Sequence, residues 1–313
     1  MKNIVKKIGM MLLTMVIVSF FAFLAFQVIP GDPTTKLLGS DATAEAVAEL
    51  RAQLGLDRPF FTRYAEWVAG ALRGDFGSSY VYAMPVSQLL SGKLEVTALL
   101  TGIAFLLITV ISLPVGLFAA SHAGGRLDRV LTMVGQAVMA VPPFFIGILL
   151  TLVCGLVLHW FIPGGFVAPA QRFWGSVGYL LYPAAAIALP RIAMTVKMLK
   201  SSISGELGKD YVRTAYSRGS SPTRTLYRHV LRNAVVPTVA FLAMTAADIV
   251  AGSVIIEQVF AIPGLGRLLL TSIANRDFPV VQAIVVILAL WVVLVNFVAD
   301  VINQRLDPRL RLR

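Results

Sequence analysis

Long uncharged stretches rich in apolar residues recur along the chain, and shorter charged segments separate them. An α-helix needs about 20 predominantly apolar residues to cross the hydrocarbon core of a bilayer. Six stretches come close to or exceed that length. They predict six transmembrane helices, at residues 8–29, 96–120, 130–159, 173–190, 234–256 and 280–299.

The first stretch follows Lys2, Lys6 and Lys7, and resembles a secretory signal peptide at first sight. The apolar part of a signal peptide is only about 7 to 15 residues long. Here the uncharged run extends from residue 8 to residue 30. We therefore expect it to be retained as the first span.

Pro142 and Pro143 lie near the middle of the third stretch, which is longer than one span requires. Proline leaves a backbone carbonyl without its helical partner, and lipid offers no replacement. Such a break is tolerated only against protein or a water-filled path. The proline pair therefore predicts a kinked third helix that lines a translocation path.

Asp248 interrupts the fifth stretch. A carboxylate within a membrane is costly unless it is paired or hydrated, so this side chain must face protein or water. It either contacts a cationic or metal-chelate substrate in the translocation path, or forms an interhelical hydrogen bond, for example with Thr245. We favour the hydrogen bond, because Asp248 lies toward the outer end of the predicted span.

Composition supports the membrane assignment, since 57% of the 313 residues are hydrophobic and 14% are charged. The net charge of +11 could suggest nucleic-acid binding, but that function needs a basic face on a soluble domain. Instead, 18 of the 27 basic residues fall on one side of the six-span topology. The other side carries nine basic and ten acidic residues. Because Lys and Arg near span ends stay in the cytoplasm, we expect both termini to be cytoplasmic.

The outer loop at residues 31–95 contains two amphipathic patterns. The first follows a possible N-cap at Thr43 and ends before Gly55, and the second begins near Phe60. These helices either pack on the outer ends of the spans or form a docking rim for an external partner. We favour packing.

The inner loop at residues 191–233 is punctuated at regular points. A polar helix is expected near 202–217, a break at Gly219, and a second helix start at Ser221, which is a plausible N-cap followed by Pro222. A loop whose only role is to keep the cytoplasmic side in place would need basic residues, but it would not need a glycine break followed by a helix start. The pattern indicates two helices joined by a turn.

The chain shows no motif for ATP hydrolysis or other catalysis. Ser91, Gly92 and Lys93 lack the upstream glycine of a phosphate-binding loop, and the three histidines lie in separate segments, which argues against a metal site. We expect no enzyme activity from this chain alone. A secondary transporter or channel is the alternative class, although no repeated halves are visible. A membrane enzyme is a weaker one.

At the inner loop the chain closely resembles permease subunits of binding-protein-dependent ABC importers, in the peptide, opine and nickel branch. The resemblance rests on residues 210–215, Gly219, 228–233 and Pro237, where Arg213, Thr214 and Ala215 replace the Glu-Ala-Ala of the wider family. Further matches lie elsewhere in the chain, at 30–33, 73–79, Glu257, Phe260, 263–267, 276–280, Asn296, Asp300 and 307–309.

The resemblance implies an all-α membrane protein with the type I importer permease fold and an EAA-type coupling helix. It implies an ATPase-coupling loop that contains Tyr211, Arg213, Thr214, Ala215, Gly219, His229 and Asn233. The implied partners are a second, homologous permease, two ATPase subunits that bind ATP and Mg, and an extracytoplasmic solute-binding protein. The chain itself would hold no cofactor. It would reside in a bacterial cytoplasmic membrane and import di- or oligopeptides, or alternatively nickel or a metal-opine chelate.

The chain is thus divided into four segments. They are an N-terminal segment with the first span at 1–30, the outer loop at 31–95, a five-helix permease core at 96–301 that includes the coupling loop 191–233, and a basic cytoplasmic tail at 302–313.

The charge asymmetry predicts the outcome of cysteine labelling in a variant without Cys154. Cysteines introduced at Ser40 or Gln171 should react with an impermeant reagent from outside, whereas those at Ser220 or Arg311 should react only after permeabilisation. Labelling at Ser220 in intact cells would overturn the topology.

Overall fold

The computed structural model describes residues 2–28, 34, 38 and 42–306, with side chains from 6–25, 34, 38 and 42–304. The motif residues 30–33 and 307–309, most of the predicted tail, and the labelling positions Ser40 and Arg311 lie outside the described residues. The described helices are α1 (Lys2–Val28), α2 (Ala44–Gln53), α3 (Phe60–Ala71), α4 (Val86–Leu90), α5 (Lys93–Ser121), α6 (Arg126–Ala140), α7 (Pro143–Leu150), α8 (Pro169–Leu207), α9 (Asp210–Ser217), α10 (Pro222–Thr225), α11 (Leu231–Val259), α12 (Leu265–Asn275) and α13 (Phe278–Leu306). Two π-helical segments, Thr151–Val157 and Leu226–Val230, continue α7 and precede α11.

The all-α membrane class is confirmed. Among the residues that the structure describes, five helical segments are long and apolar enough to cross a membrane, namely Lys6–Ala25, Val86–Ser121, Pro169–Leu207, Pro222–Val259 and Phe278–Gln304. The third predicted stretch forms a bent pair, Arg126–Ala140 with Pro143–Val157, and the count reaches six when this pair is one span.

The predicted kink at the proline pair is confirmed and is sharper than a bend within one helix. The two halves of the pair meet at 99°. Val141 is extended, Pro142 occupies the N-cap of α7, and Pro143 is its first helical residue. The fixed proline φ angle suits a helix start and the missing N–H is not needed there, so the pair ends α6 and begins α7.

The helix that carries the fourth predicted span extends well beyond Pro190. Residue 172 has non-helical backbone angles, so regular helix begins at 173 as predicted, but α8 continues through Pro183 and Pro190 to Leu207. Both prolines are buried. Neighbouring helices can compensate for the hydrogen bond that a proline removes, and proline therefore does not end a buried span as it would end an exposed helix.

The described residues form two compact units. The first comprises residues 1–97 and 263–293. Its core joins α4, α12 and the start of α13 through apolar residues, of which Val86, Leu265, Val280 and Ala283 are fully buried. Leu265 also donates its backbone N–H to the Thr97 hydroxyl at 2.9 Å.

The outer-loop helices have the predicted local signals. Thr43 accepts a hydrogen bond from the Ala46 N–H, and Gly55 has a φ of +65° after α2. Helix α3 packs on α1, where the Tyr64 and Ser19 hydroxyls are 2.9 Å apart and the rings of Phe60 and Phe23 meet edge to face. The packing interpretation therefore holds for α3.

A buried carboxylate holds the turn before α4. Asp277, which is fully buried, accepts hydrogen bonds from the Ser79 hydroxyl and from the Tyr80 N–H at 3.0 Å. The Ser79 oxygen in turn accepts from the Tyr82 N–H at 2.9 Å. This network joins two segments that are almost 200 residues apart in the chain.

The second unit comprises residues 98–262 and 294–313. In it α8 and α11 pack antiparallel. At one end the Tyr179 hydroxyl donates to the Phe260 carbonyl at 3.1 Å. At the other end Leu199 and Ile203 pack with Val230 and Ala234. These two helices also carry the candidate functional residues.

Asp277→Ala should loosen the turn at residues 77–85, because it leaves the buried Ser79 hydroxyl and Tyr80 N–H without an acceptor. Such a loss costs about 3 kcal/mol, since the missing partner is charged. Limited proteolysis in detergent should show faster cleavage in this turn. Asp75→Ala is the matched control, because Asp75 is exposed and accepts only from the Gly77 N–H. Equal cleavage rates in the two variants would contradict the role of Asp277.

Candidate functional site

The connection between α8 and α11, residues 208–230, contains most of the predicted coupling residues. The expected single helix near 202–217 is in fact two elements. Helix α8 ends at Leu207, Lys209 is extended, and α9 begins at Asp210. Gly208, which directly follows Leu207, is the C-cap of α8 and is a stop signal that the single predicted helix disregarded.

Helix α9 is anchored by one apolar side chain. Val212 is fully buried in a cluster with Leu199 and Ile203 of α8, and Leu226, Val230 and Ala234 extend the same cluster toward α11. Burial of a valine side chain contributes about 1.5 kcal/mol or more. The connection is therefore packed on the two long helices and is not a free loop.

Tyr211 adds polar links beside this cluster. Its hydroxyl donates to Glu206 Oε2 at 2.7 Å, and its side chain also shares a hydrogen bond with Asn233. Glu206 forms an ion pair with Lys209. Burial and the neighbouring Glu206 carboxylate raise the pKa of Tyr211. Together they outweigh the Asn233 hydrogen bond, which lowers it. The phenol therefore stays protonated at neutral pH and can donate to the carboxylate.

Gly219 ends α9 in a left-handed conformation, with a φ of +78°. The Gly219 N–H donates to the Tyr216 carbonyl at 2.9 Å, and the Ser220 N–H donates to the Ala215 carbonyl at 3.1 Å. This pair of bonds is a Schellman motif, which satisfies carbonyls at the end of a helix. The predicted break at Gly219 and its left-handed conformation are confirmed.

The second helix start is also as predicted. The Ser221 side chain accepts from the Arg224 N–H at 3.3 Å, and Pro222 is the first helical residue. The π segment then follows, placing Leu226 and Val230 in the buried cluster. Segments of this kind are common at functional sites.

The remaining predicted coupling residues lie largely on the surface. Arg213, Thr214, His229 and Asn233 are exposed, while Ala215 is half-buried. Arg213 makes only an exposed ion pair with Asp210 at 3.7 Å, which contributes little to stability. Other exposed side chains of the connection include Tyr216, Arg218, Arg224, Tyr227 and Arg228. The exposed surface is therefore basic with two tyrosines.

The predicted translocation residues lie on helices that contact one another. Helix α7, which begins at the proline pair, packs against α8 and α11. Close approach is possible because Gly147 faces Phe260, where an added Cβ would come within 3.1 Å of the ring. Asp248 is exposed on α11, and Thr245 donates instead to the Phe241 carbonyl at 2.9 Å. The suggested hydrogen bond between Asp248 and Thr245 is therefore wrong.

Sequence reasoning did not connect Arg191 with Asp248. The uncharged stretch that predicts the fourth span ends at Pro190, so Arg191 is assigned to the inner loop. The structure places it within α8, close enough to Asp248 for electrostatic attraction. The apolar residues that continue at 192–196 were a signal that the span had not ended.

Residues 112–312 match the family described as "Binding-protein-dependent transport system inner membrane component". Residues 1–101 match the corresponding N-terminal family, "Binding-prot-dependent transport system membrane comp, N-term". Similar proteins include a "Probable peptide ABC transporter permease protein" of Sinorhizobium fredii, 33% identical over 98% of both chains. An "Oligopeptide transport system permease protein" of Bacillus subtilis is 32% identical over 94% of both chains, and a "Glutathione transport system permease protein" of Escherichia coli is 30% identical over 98% of both.

Gly219→Val should disrupt the end of α9, whereas Gly219→Asn should preserve it. An added Cβ meets no atom within 4 Å, so both side chains have space and only the backbone conformation separates them. A β-branched residue strains the left-handed region by about 1 to 2 kcal/mol, while asparagine tolerates it. Hydrogen exchange of the Gly219 and Ser220 region should be faster in the valine variant. Equal exchange in both variants would refute the argument.

Proposed function

Because the chain belongs to the binding-protein-dependent transport system inner membrane component family, the permeases of ABC importers, we propose that it imports di- or oligopeptides by ATP-driven alternating access. Members of this family are multi-pass membrane proteins and are not catalytic by themselves. ATP hydrolysis belongs to partner subunits, and a substrate-binding protein supplies the solute.

Support for a peptide substrate comes from the similar proteins. Those from Sinorhizobium fredii and Bacillus subtilis are named for peptide and oligopeptide transport, and that from Escherichia coli is named for glutathione, which is itself a small peptide. These names favour a peptide over nickel or a metal-opine chelate.

Energy coupling is assigned to the connection at 208–230, and the burial of Val212 is the observation that carries this assignment. A surface loop that merely retained topology would not need a fully buried anchor between two spans. Here the exposed residues Arg213, Thr214 and His229 would contact an ATPase subunit. Val212, Tyr211 and Asn233 would transmit its displacement to α8 and α11.

Gly219 has a distinct part in this arrangement. Its left-handed conformation turns the chain sharply between α9 and α10 without adding side-chain bulk. That turn allows both short helices to share one buried cluster while their polar sides face outward. A strained residue here would displace the docking surface without unfolding the spans.

The translocation path is assigned to the region near the proline pair and Asp248. The break at Pro142 and Pro143 leaves backbone carbonyls outside a regular helix, which requires protein or water nearby. Asp248 needs the same kind of surroundings. Their presence on contacting helices favours one hydrated path over two unrelated defects.

The complete transporter would contain a second homologous permease, two ATPase subunits holding ATP and Mg, and an extracytoplasmic solute-binding protein. Both termini and the 208–230 connection would face the cytoplasm. Closure of the ATPases on ATP would draw the two docking surfaces together and open the path outward. Hydrolysis would then return the path to its inward-facing state.

Reconstitution tests this proposal. The permease, the three partner components and labelled di- and tetrapeptides should give uptake into proteoliposomes that requires ATP and the solute-binding protein. Gly219→Val should reduce both uptake and peptide-stimulated ATP hydrolysis, and Gly219→Asn should retain them. Uptake of Ni²⁺ or its chelate without peptide uptake would overturn the substrate assignment. Peptide uptake without ATP would indicate a secondary transporter.

A further inference from the structure

Arg191 and Asp248 lie at the same depth within the membrane bundle. Helices α8 and α11 are antiparallel, with Tyr179 against Phe260 at one end and Ile203 near Ala234 at the other. Arg191 is midway between Tyr179 and Ile203, about 18 Å of helix from each. Asp248 lies similarly between Phe260 and Ala234. Both residues therefore lie at the same level of the α8–α11 pair.

The Arg191 and Asp248 side chains are close to each other but do not form a direct ion pair. Asp248 attracts the Arg191 guanidinium electrostatically, and an Arg191 terminal nitrogen is 3.9 Å from where a Cβ on Gly252 would be. Gly252 is one helical turn from Asp248. In the described part of the chain, no salt bridge within 4.0 Å involves either residue. Both groups therefore retain capacity to bind other charges.

Asp248 belongs to an uncovered face of α11. After Asn233, the exposed residues of α11 recur at intervals of three, four or seven, which places them along one side of the helix; they are Pro237, Met244, Asp248, Ala251, Ile255 and Gln258. Lipid is an unsuitable cover for this face, because a carboxylate exposed to hydrocarbon within a membrane span is costly. The face must meet water or protein in the assembled transporter.

We propose that Arg191 and Asp248 form a transient contact site for the two charged ends of a peptide in transit. The Asp248 carboxylate would accept from the peptide ammonium group, and the Arg191 guanidinium would donate to the peptide carboxylate. Arginine matches a carboxylate with two parallel hydrogen bonds. This site rests on the proposed peptide function, and it adds Arg191 as a residue that selects the substrate.

The charges of Arg191 and Asp248 suit brief contact with a passing peptide better than tight binding of it. Each charge already has an oppositely charged neighbour, so the site does not depend on substrate to avoid an isolated charge in the membrane. When a peptide arrives, the attraction between Arg191 and Asp248 is replaced by contacts of each residue with one charged end of the peptide. The peptide gains little by remaining, and it can leave when the path reopens on the other side.

Variants that remove the charge of Asp248 or Arg191 distinguish a role in peptide recognition from a purely structural role. In the reconstituted transporter, Asp248→Asn should lower maximal uptake of a dipeptide with free ends about tenfold, equivalent to about 1.4 kcal/mol. The same dipeptide with an acetylated amino end should lose less than about twofold, because it has no ammonium group for Asp248 to stabilise. Arg191→Gln should show the reverse preference, with C-terminal amidation removing its effect.

Matched controls are available on the same helices. Ala251→Asn introduces the same amide on the exposed face of α11, and Lys197→Gln removes another exposed cation from α8. Both should transport all the peptides at the parental rate. Binding of each peptide to the solute-binding protein is measured separately, so that differences in delivery are not assigned to the permease. Equal losses for all peptides in the Asp248 and Arg191 variants would identify a purely structural pair and overturn the proposal.

Cysteine accessibility gives a second test that does not depend on modified peptides. In a variant lacking Cys154, Asp248→Cys should react with a charged, water-soluble thiosulfonate, and saturating peptide with the solute-binding protein should slow the reaction at least about fivefold. Lys197→Cys should show no slowing. No reaction at residue 248, or a reaction that peptide leaves unchanged, would overturn the site. Failure of the parental transporter to import any peptide would instead refute the proposed function.

Discussion

Hydrocarbon cannot replace water as a partner for charges or for unpaired backbone groups, and this constraint organises the whole chain. It concentrates charge in the segments between spans and makes helices the only spanning elements. Three of the departures among the described residues lie on helices that contact one another. The proline break at 142–143 interrupts the helical hydrogen bonds before α7. Arg191 and Asp248 place opposite charges on α8 and α11, the helices that α7 contacts. The proposed hydrated path would satisfy all three features at once.

The same two helices connect that region to the 208–230 connection, the proposed docking surface. Helix α8 continues without interruption from Arg191 to Leu207, and α11 begins beside the π segment that completes the 208–230 connection. Val212 and Leu226 join the ends of these helices in one buried cluster. Close-packed clusters transmit displacement because they have little free volume in which to absorb it. A shift of α9 must therefore move the ends of α8 and α11, the helices that carry Arg191 and Asp248.

Local features of this fold were predictable from sequence, and long-range ones were not. The proline break, the left-handed Gly219 and the Ser221 cap depend on residue types within one or two turns, and each was predicted. The end of α8 was not predicted because the fourth stretch was bounded by charge, and the charged Arg191 does not end the helix. The contact of Asp277 with Ser79 joins distant segments, so no local pattern indicated it. Arg191 combined both difficulties, since its placement depended on the span boundary and its partner lies on another helix.

The opposite charges of Arg191 and Asp248 also bear on what could pass between them. An isolated aspartate would attract any cation, including a divalent metal, and would hold it strongly in a medium of low dielectric constant. A neighbouring guanidinium weakens that attraction and repels the metal. A zwitterion experiences the pair differently, because each of its charges has a counterpart, and a peptide also supplies hydrogen-bonding groups that can replace lost water. If this pair faces the path, its charge arrangement disfavours a bare metal ion and favours a molecule that carries both charges.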